Sequence, residues 1–138
     1  MAEILQKSPL APDDFPNVGV ITGVRFSSVA AGLKYKGRPD VMLAQLSMGS
    51  TIAGVFTTSA TRSAPVLDCQ EKLGQMYDQG AAIIVNSGNA NAFTGKIGTA
   101  AVKAVVDAVG EKLSLSPNRV FSASTGVIGE PLPYDRII

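Results

Sequence analysis

The feature that most restricts how this chain can fold is the order strand, loop, helix, strand in its second half. Ala81-Ala82-Ile83-Ile84-Val85 is an uninterrupted apolar run with the length of a buried strand. It opens into Asn86-Ser87-Gly88-Asn89-Ala90-Asn91-Ala92-Phe93-Thr94-Gly95, a loop composition. Beyond it Thr99, Lys103, Asp107 and Glu111 recur at helical spacing, while Val102, Val105, Val106, Val109 and Leu113 fill another face, as in an amphipathic helix. Ser116-Pro117 turns the chain into Arg119-Val120-Phe121-Ser122-Ala123, β-branched and aromatic enough to be a strand. The strand delivers Ser124-Thr125-Gly126 into a turn, and the whole reads as an α/β fold.

The first half predicts a β-meander. Met1 to Asn17 is polar and proline-bearing, an extended lead-in to a domain running over 18–138. Val18 to Phe26 and Val29 to Tyr35 have strand composition, and the turn from Lys34 to Asp40 returns the chain as a strand over Val41 to Met48, which makes a hairpin. Gly49-Ser50 is a second turn, after which Thr51 to Thr58 reads as another strand weakened by Gly54. Asp68 with Glu71 has the form of a capping box and Gly80 falls at a C-cap position, so a short helix is predicted over Cys69 to Gln79.

Charge and composition narrow the chemistry. A length of 138 residues fits one domain, and 12 basic against 11 acidic side chains, spread along the chain, leave no electrostatic footprint for nucleic acid or an anionic membrane. The one cysteine, Cys69, has no partner for an internal disulfide, and no apolar run reaches spanning length, so the expectation is a soluble, cytoplasmic protein. No histidine occurs. That removes the commonest general base and the commonest transition-metal ligand, and with them any Ser-His-Asp or Cys-His site. Chemistry would have to come from hydroxyls, amides, carboxylates or lysines, with no metal or cofactor expected. Cys69 reads as a small core filler.

Within those limits the candidate site is Thr125-Gly126. A glycine at a strand exit can take positive φ or let a ligand approach the main chain, which is how oxyanion and anion sites are built. The same pair can also simply end a strand. Three other stretches have two readings each. The hydroxyls of Thr57, Thr58, Ser59, Thr61 and Ser63 line a site or are an ordinary strand end. Lys34, Lys36 and Arg38 are a phosphate patch or a solvated hairpin tip. The asparagines of the 86–95 loop satisfy its backbone or hold a polar pocket. The loop is no phosphate loop: Gly95-Lys96 is followed by Ile97 and no G-x-G-x-x-G occurs.

These stretches carry a resemblance. Ala30-Ala31-Gly32-Leu33-Lys34, Ala53 to Thr58, Ala64-Pro65-Val66, Val85-Asn86-Ser87-Gly88-Asn89-Ala90-Asn91-Ala92, Thr94-Gly95 and Ser124 to Pro133 resemble the N-terminal half of the glutamate N-acetyltransferase family, the ornithine acetyltransferases of arginine biosynthesis. The resemblance runs from about residue 18 to the end. It implies a layered α/β sandwich of which this is the N-terminal part. It also implies a precursor that cuts itself at an Ala-Thr bond, the new N-terminal threonine of the β chain being the nucleophile. Acetyl would pass from N-acetylornithine through acetyl-threonine to glutamate, with acetyl-CoA a further donor in some members, in an α2β2 heterotetramer. Thr125 and Gly126 match the family's oxyanion hole by position. The chain ends before the family's cleavage segment, so no nucleophile is expected in it. Ala60-Thr61 is its only Ala-Thr bond, and the flanking Ser59 and Arg62-Ser63 do not resemble that site. Phe93 stands where relatives commonly hold cysteine. A non-catalytic fragment or binding module of the same fold is the alternative.

Overall fold

A computed structural model describes residues 8–14, 16–75 and 78–138. Four strands, β1 (Val24–Val29), β2 (Val41–Leu46), β3 (Ala81–Asn89) and β4 (Val120–Val127), form one sheet in the order β1-β2-β3-β4. Two helices accompany it, α1 (Ala64–Lys72) and α2 (Gly95–Leu113). β1, β2 and β3 are antiparallel neighbours, whereas β3 and β4 run parallel; the meander expected within the first half is reduced to the β1-β2 hairpin, and its third strand is β3 of the second half. A parallel pair needs a crossover, and α2 is that crossover.

The period of α2 decides which sheet face is covered. Val102, Val105 and Val106 are buried on its apolar stripe against Val41 of β2, Ala82 and Ile84 of β3 and Val120 of β4, with Leu33 closing the cluster. Each valine, leucine or isoleucine of the cluster contributes about 1.5–3 kcal/mol when fully buried. α2 ends at Ser114 in the left-handed region (φ 55°), and Pro117–Arg119 form a 3-10 turn whose Ser116 hydroxyl accepts from Asn118 N–H at 3.3 Å. This is the Ser-Pro turn expected before β4.

α1 packs on β4 and on α2. Two of its side chains take main-chain carbonyls of β4: Lys72 Nζ donates to Val120 O at 3.0 Å and Cys69 Sγ to Ser122 O at 3.3 Å. Lys72 is 8% exposed, and its charge is matched by Asp68 one turn earlier at 2.6 Å.

Several elements differ from their sequence-based boundaries. The two strands expected over 18–26 and 29–35 are one, β1: Gly23 (φ 84°) precedes it, and beyond Val29 the buried Asp40 carboxylate accepts from Ala31 and Leu33 N–H at 2.7 and 2.6 Å, holding 31–33 as a loop. The strand expected over Thr51–Thr58 does not form. The segment pairs with neither outer strand of the sheet, so its side chains gain no pleated surface to pack on; Val55 is 98% exposed. The first helix starts at Ala64, not Cys69, because Pro65 in its first turn presets φ and Ser63 takes the N-cap position. Asp68 therefore sits inside the helix and pairs with Lys72 rather than capping. The helix ends at Leu73 with Gly74 (φ 84°) following, well before Gly80. Met76 and Tyr77 of the expected helix lie outside the described residues, as do 1–7 and Phe15 of the expected lead-in. β3 and β4 run further than their apolar runs, taking in Asn86–Asn89 and Ser124–Val127. Among the described residues no helix is long and apolar enough to cross a membrane.

Candidate functional site

Parallel β3 and β4 finish at the same end of the sheet, and there Thr125 and Gly126 sit inside β4 rather than in a turn after it. Ser87 is in register with Thr125 and Gly88 with Gly126; Asn89 then faces both Thr125 and Val127, an irregularity in the ladder. Such bulges re-aim side chains and are frequent beside active sites. Carboxyl ends of parallel strands are also where open α/β sheets bind ligands.

The two glycines make this geometry possible. Gly126 has φ 138°, and a Cβ on it would collide with the carbonyl carbon of Gly88 and stand 2.5 Å from Asn89 N. Gly88 (φ 102°) has room on its other side for nothing but the stem of Lys34, whose Cβ a side chain at 88 would meet at 2.6 Å. Thr125 itself is exposed, and its hydroxyl has no hydrogen-bond partner among the described residues.

A ladder of amides fixes the loops around the pair. Ser124 Oγ donates to Asn86 Oδ1 at 2.6 Å, and Asn86 Nδ2 donates to Asn89 O at 2.9 Å. Asn89 Nδ2 reaches Glu130 O (3.0 Å) and Pro131 O (3.3 Å), while its Oδ1 accepts from Asn91 N–H at 2.7 Å. Asn91 Nδ2 donates to Gly98 O at 3.0 Å and its Oδ1 accepts from Thr94 Oγ1 at 2.8 Å. All three asparagines are buried. Their amides are spent on main-chain groups of Asn89, Asn91, Gly98, Glu130 and Pro131 and on the hydroxyls of Thr94 and Ser124, so they brace the loop and what it touches. The loop also donates Ala90 N–H to Val127 O (2.8 Å) and accepts Gly129 N–H at Ala92 O (2.9 Å), so both strand exits are tied together.

The other candidates separate. Lys34 Nζ pairs with Glu130 (2.9 Å) and Arg38 lies 4.1 Å over the Tyr35 ring, so two of the three cations are engaged within the chain, and Lys36 is exposed. Of the threonine and serine hydroxyls, Thr61 lines a cavity of about 420 Å³ with Arg62, Phe93, Thr94, Lys96 and Thr99, between the starts of α1 and α2; Thr57, Thr58, Ser59 and Ser63 do not, nor do Thr125 and Gly126. Cys69 is buried, and burial, with the Asp68 charge adding to it, pushes its thiol above the usual range. It is core, as its composition suggested. No group of three or more Cys, Asp or Glu side chains is placed to hold a metal ion among the described residues. Sequence reasoning missed the roles of Asp40, Lys34 and Glu130. Lys34 and Glu130 are 96 positions apart and nothing in the sequence links them.

The ArgJ family model matches residues 25–138. The arginine biosynthesis bifunctional protein ArgJ of Ruegeria pomeroyi is 58% identical over all 138 residues, which cover 34% of that protein. Its counterpart in Gluconobacter oxydans is 51% identical over 138 residues, 32% of its length. The chain thus spans about a third of the length of the curated relatives it matches. Among solved structures, ornithine acetyltransferase from Mycobacterium tuberculosis, complexed with ornithine, aligns with a TM-score of 0.76 at 39% identity, over 84% of this chain and 62% of that one. The arginine biosynthesis bifunctional protein ArgJ of Bacillus halodurans aligns with a TM-score of 0.76 at 32% identity, over 84% and 60%.

Proposed function

Because the chain belongs to the ArgJ family, we propose that it is the α-chain part of an acetyltransferase that moves acetyl from N-acetylornithine to glutamate, with acetyl-CoA as a second donor. In this reading 18–138 is one part of a larger α/β domain completed by a β chain of the same precursor, in a cytoplasmic α2β2 assembly. The β chain brings an N-terminal threonine nucleophile, freed by self-cleavage, and its own α-amine serves as base. That division suits a chain without histidine.

The observation that carries the site is the exposed, unbonded hydroxyl of Thr125 at the carboxyl end of β4, beside a glycine whose surroundings allow no side chain. Acyl transfer passes through a tetrahedral oxyanion, and donors held still before the reaction stabilise it without reorganising. Thr125 and Gly126 are the oxyanion hole in this reading; Thr125 donates, and the amide ladder keeps it in place. No residue of this chain is the nucleophile.

In the full-length enzyme Thr125→Ala lowers kcat by about a hundred- to a thousandfold, roughly 3–4 kcal/mol of transition-state stabilisation, with KM little changed. Self-cleavage is quantified in the same preparation, since it passes through a tetrahedral oxyanion too and an uncut precursor would mimic a dead enzyme. A cleaved, folded Thr125→Ala protein with near wild-type kcat removes Thr125 from the site.

A further inference from the structure

Glu130, four residues beyond Gly126, is gripped twice. Its main-chain carbonyl accepts from the buried Asn89 side chain at 3.0 Å, and its carboxylate takes Lys34 Nζ on both oxygens at 3.1 and 2.9 Å. Lys34 is not a free surface cation that happens to reach it. Its Cβ and Cγ lie over Gly88, the residue in register with Gly126, at distances that leave Gly88 no side chain. The segment carrying it is pinned as well, by Asp40 accepting from Ala31 and Leu33 N–H and by Arg136, which donates to Gly32 O. Lys34 therefore spans the sheet end from Gly88 to Glu130, closing a loop of contacts around Thr125-Gly126.

We propose that Lys34 is a positioning residue for Thr125-Gly126, acting through its ion pair with Glu130 to hold the exit of β4. The proposal rests on the oxyanion reading of Thr125 and adds the group that keeps that site in register. The pair is half-exposed, 37% and 51% at the two side chains, so it contributes little to global stability and exerts its effect on the local placement of the exit. Small displacements of positioned groups are expressed in the rate of the chemical step rather than in substrate affinity.

The test uses the full-length, cleaved enzyme and the variants Lys34→Met, Glu130→Gln, both together, and the exchanged pair Lys34→Glu with Glu130→Lys. Methionine and glutamate keep the Cβ and Cγ that pack on Gly88, so only the ion pair changes. Expected are a fall in kcat of about two- to fivefold in each single variant, no further fall in the Lys34→Met/Glu130→Gln double variant, recovery in the exchanged pair, and unchanged KM and melting temperature. A normal kcat for Lys34→Met, or a loss there that Glu130→Gln does not share, overturns the proposal. Thr125→Ala assayed alongside separates the two failures: a slow Thr125→Ala enzyme beside a normal Lys34→Met enzyme refutes positioning alone, while a fast Thr125→Ala enzyme refutes the oxyanion reading beneath it.

Discussion

Gly126 is constrained by its neighbours before any ligand is considered. With φ 138° and the β3 backbone against it, Gly126→Ala combines a backbone penalty with an overpacked contact, together about 2–4 kcal/mol. Thermal unfolding of the full-length variant is expected to show that loss, and an unfolding midpoint equal to wild type would mean that the strands do not approach so closely. Inactivity of Gly126→Ala therefore says nothing about an oxyanion hole, which is why Thr125, exposed and unbonded, is the informative position. Cys69 yields a second residue-scale expectation. Burial holds its thiol protonated to higher pH and covers the sulfur, so labelling by a disulfide reagent near pH 8 is at least about tenfold slower in the native protein than in denaturant. Equal rates would place Cys69 at the surface.

At the scale of elements, the seam between α1 and β4 carries the polar stakes. Lys72 is nearly buried, with Asp68 as its counter-charge and Val120 O as its other acceptor. Asp68→Asn leaves that ammonium without a neutralising partner and is expected to cost about 1–3 kcal/mol in urea unfolding. On β4 itself, the hydroxyl of Ser122 is buried with no hydrogen-bond partner among the described residues. Removing an unsatisfied donor relieves its desolvation, so Ser122→Ala is expected to be neutral or to stabilise by up to about 1 kcal/mol; a clear loss of stability would reveal a partner for that hydroxyl.

At the scale of the molecule, apolar side chains remain uncovered. Val20 is 100% exposed, Val55 98%, Val18 75% and Phe26 65%, more than scattered surface residues account for in a small domain. β1 is an edge strand of the sheet with no element on its outer side among the described residues, whereas α1 takes the Val120 and Ser122 carbonyls of β4, and an open edge invites pairing. The isolated 138-residue chain is thus expected to self-associate and to bind a hydrophobic dye; a monodisperse, dye-silent monomer in gel filtration would contradict this. It is also expected to show no acetyl transfer from N-acetylornithine to glutamate, since the proposed nucleophile belongs to another chain. Detectable turnover by the purified chain would refute that.

Local pattern by itself determined the elements whose burial repeats with a period. The apolar run of β3 and the valine stripe of α2 were legible because a buried strand and an amphipathic helix each leave a periodic trace. So was the strand leading to Thr125, and so was the family, through the Asn-Gly and Thr-Gly stretches. Strand composition misled at 18–23 and 51–58, where extended, β-branched chain found no neighbour; a strand is a property of a pair, and a single segment does not encode its partner. The end of β4 was misjudged for a related reason. The parallel ladder carries the chain through Thr125 and Gly126, and only its register with Gly88 shows why residue 126 lacks a side chain. The grip of Lys34 on Glu130 belonged wholly to tertiary structure, because a contact across 96 positions depends on where the sheet brings its ends together.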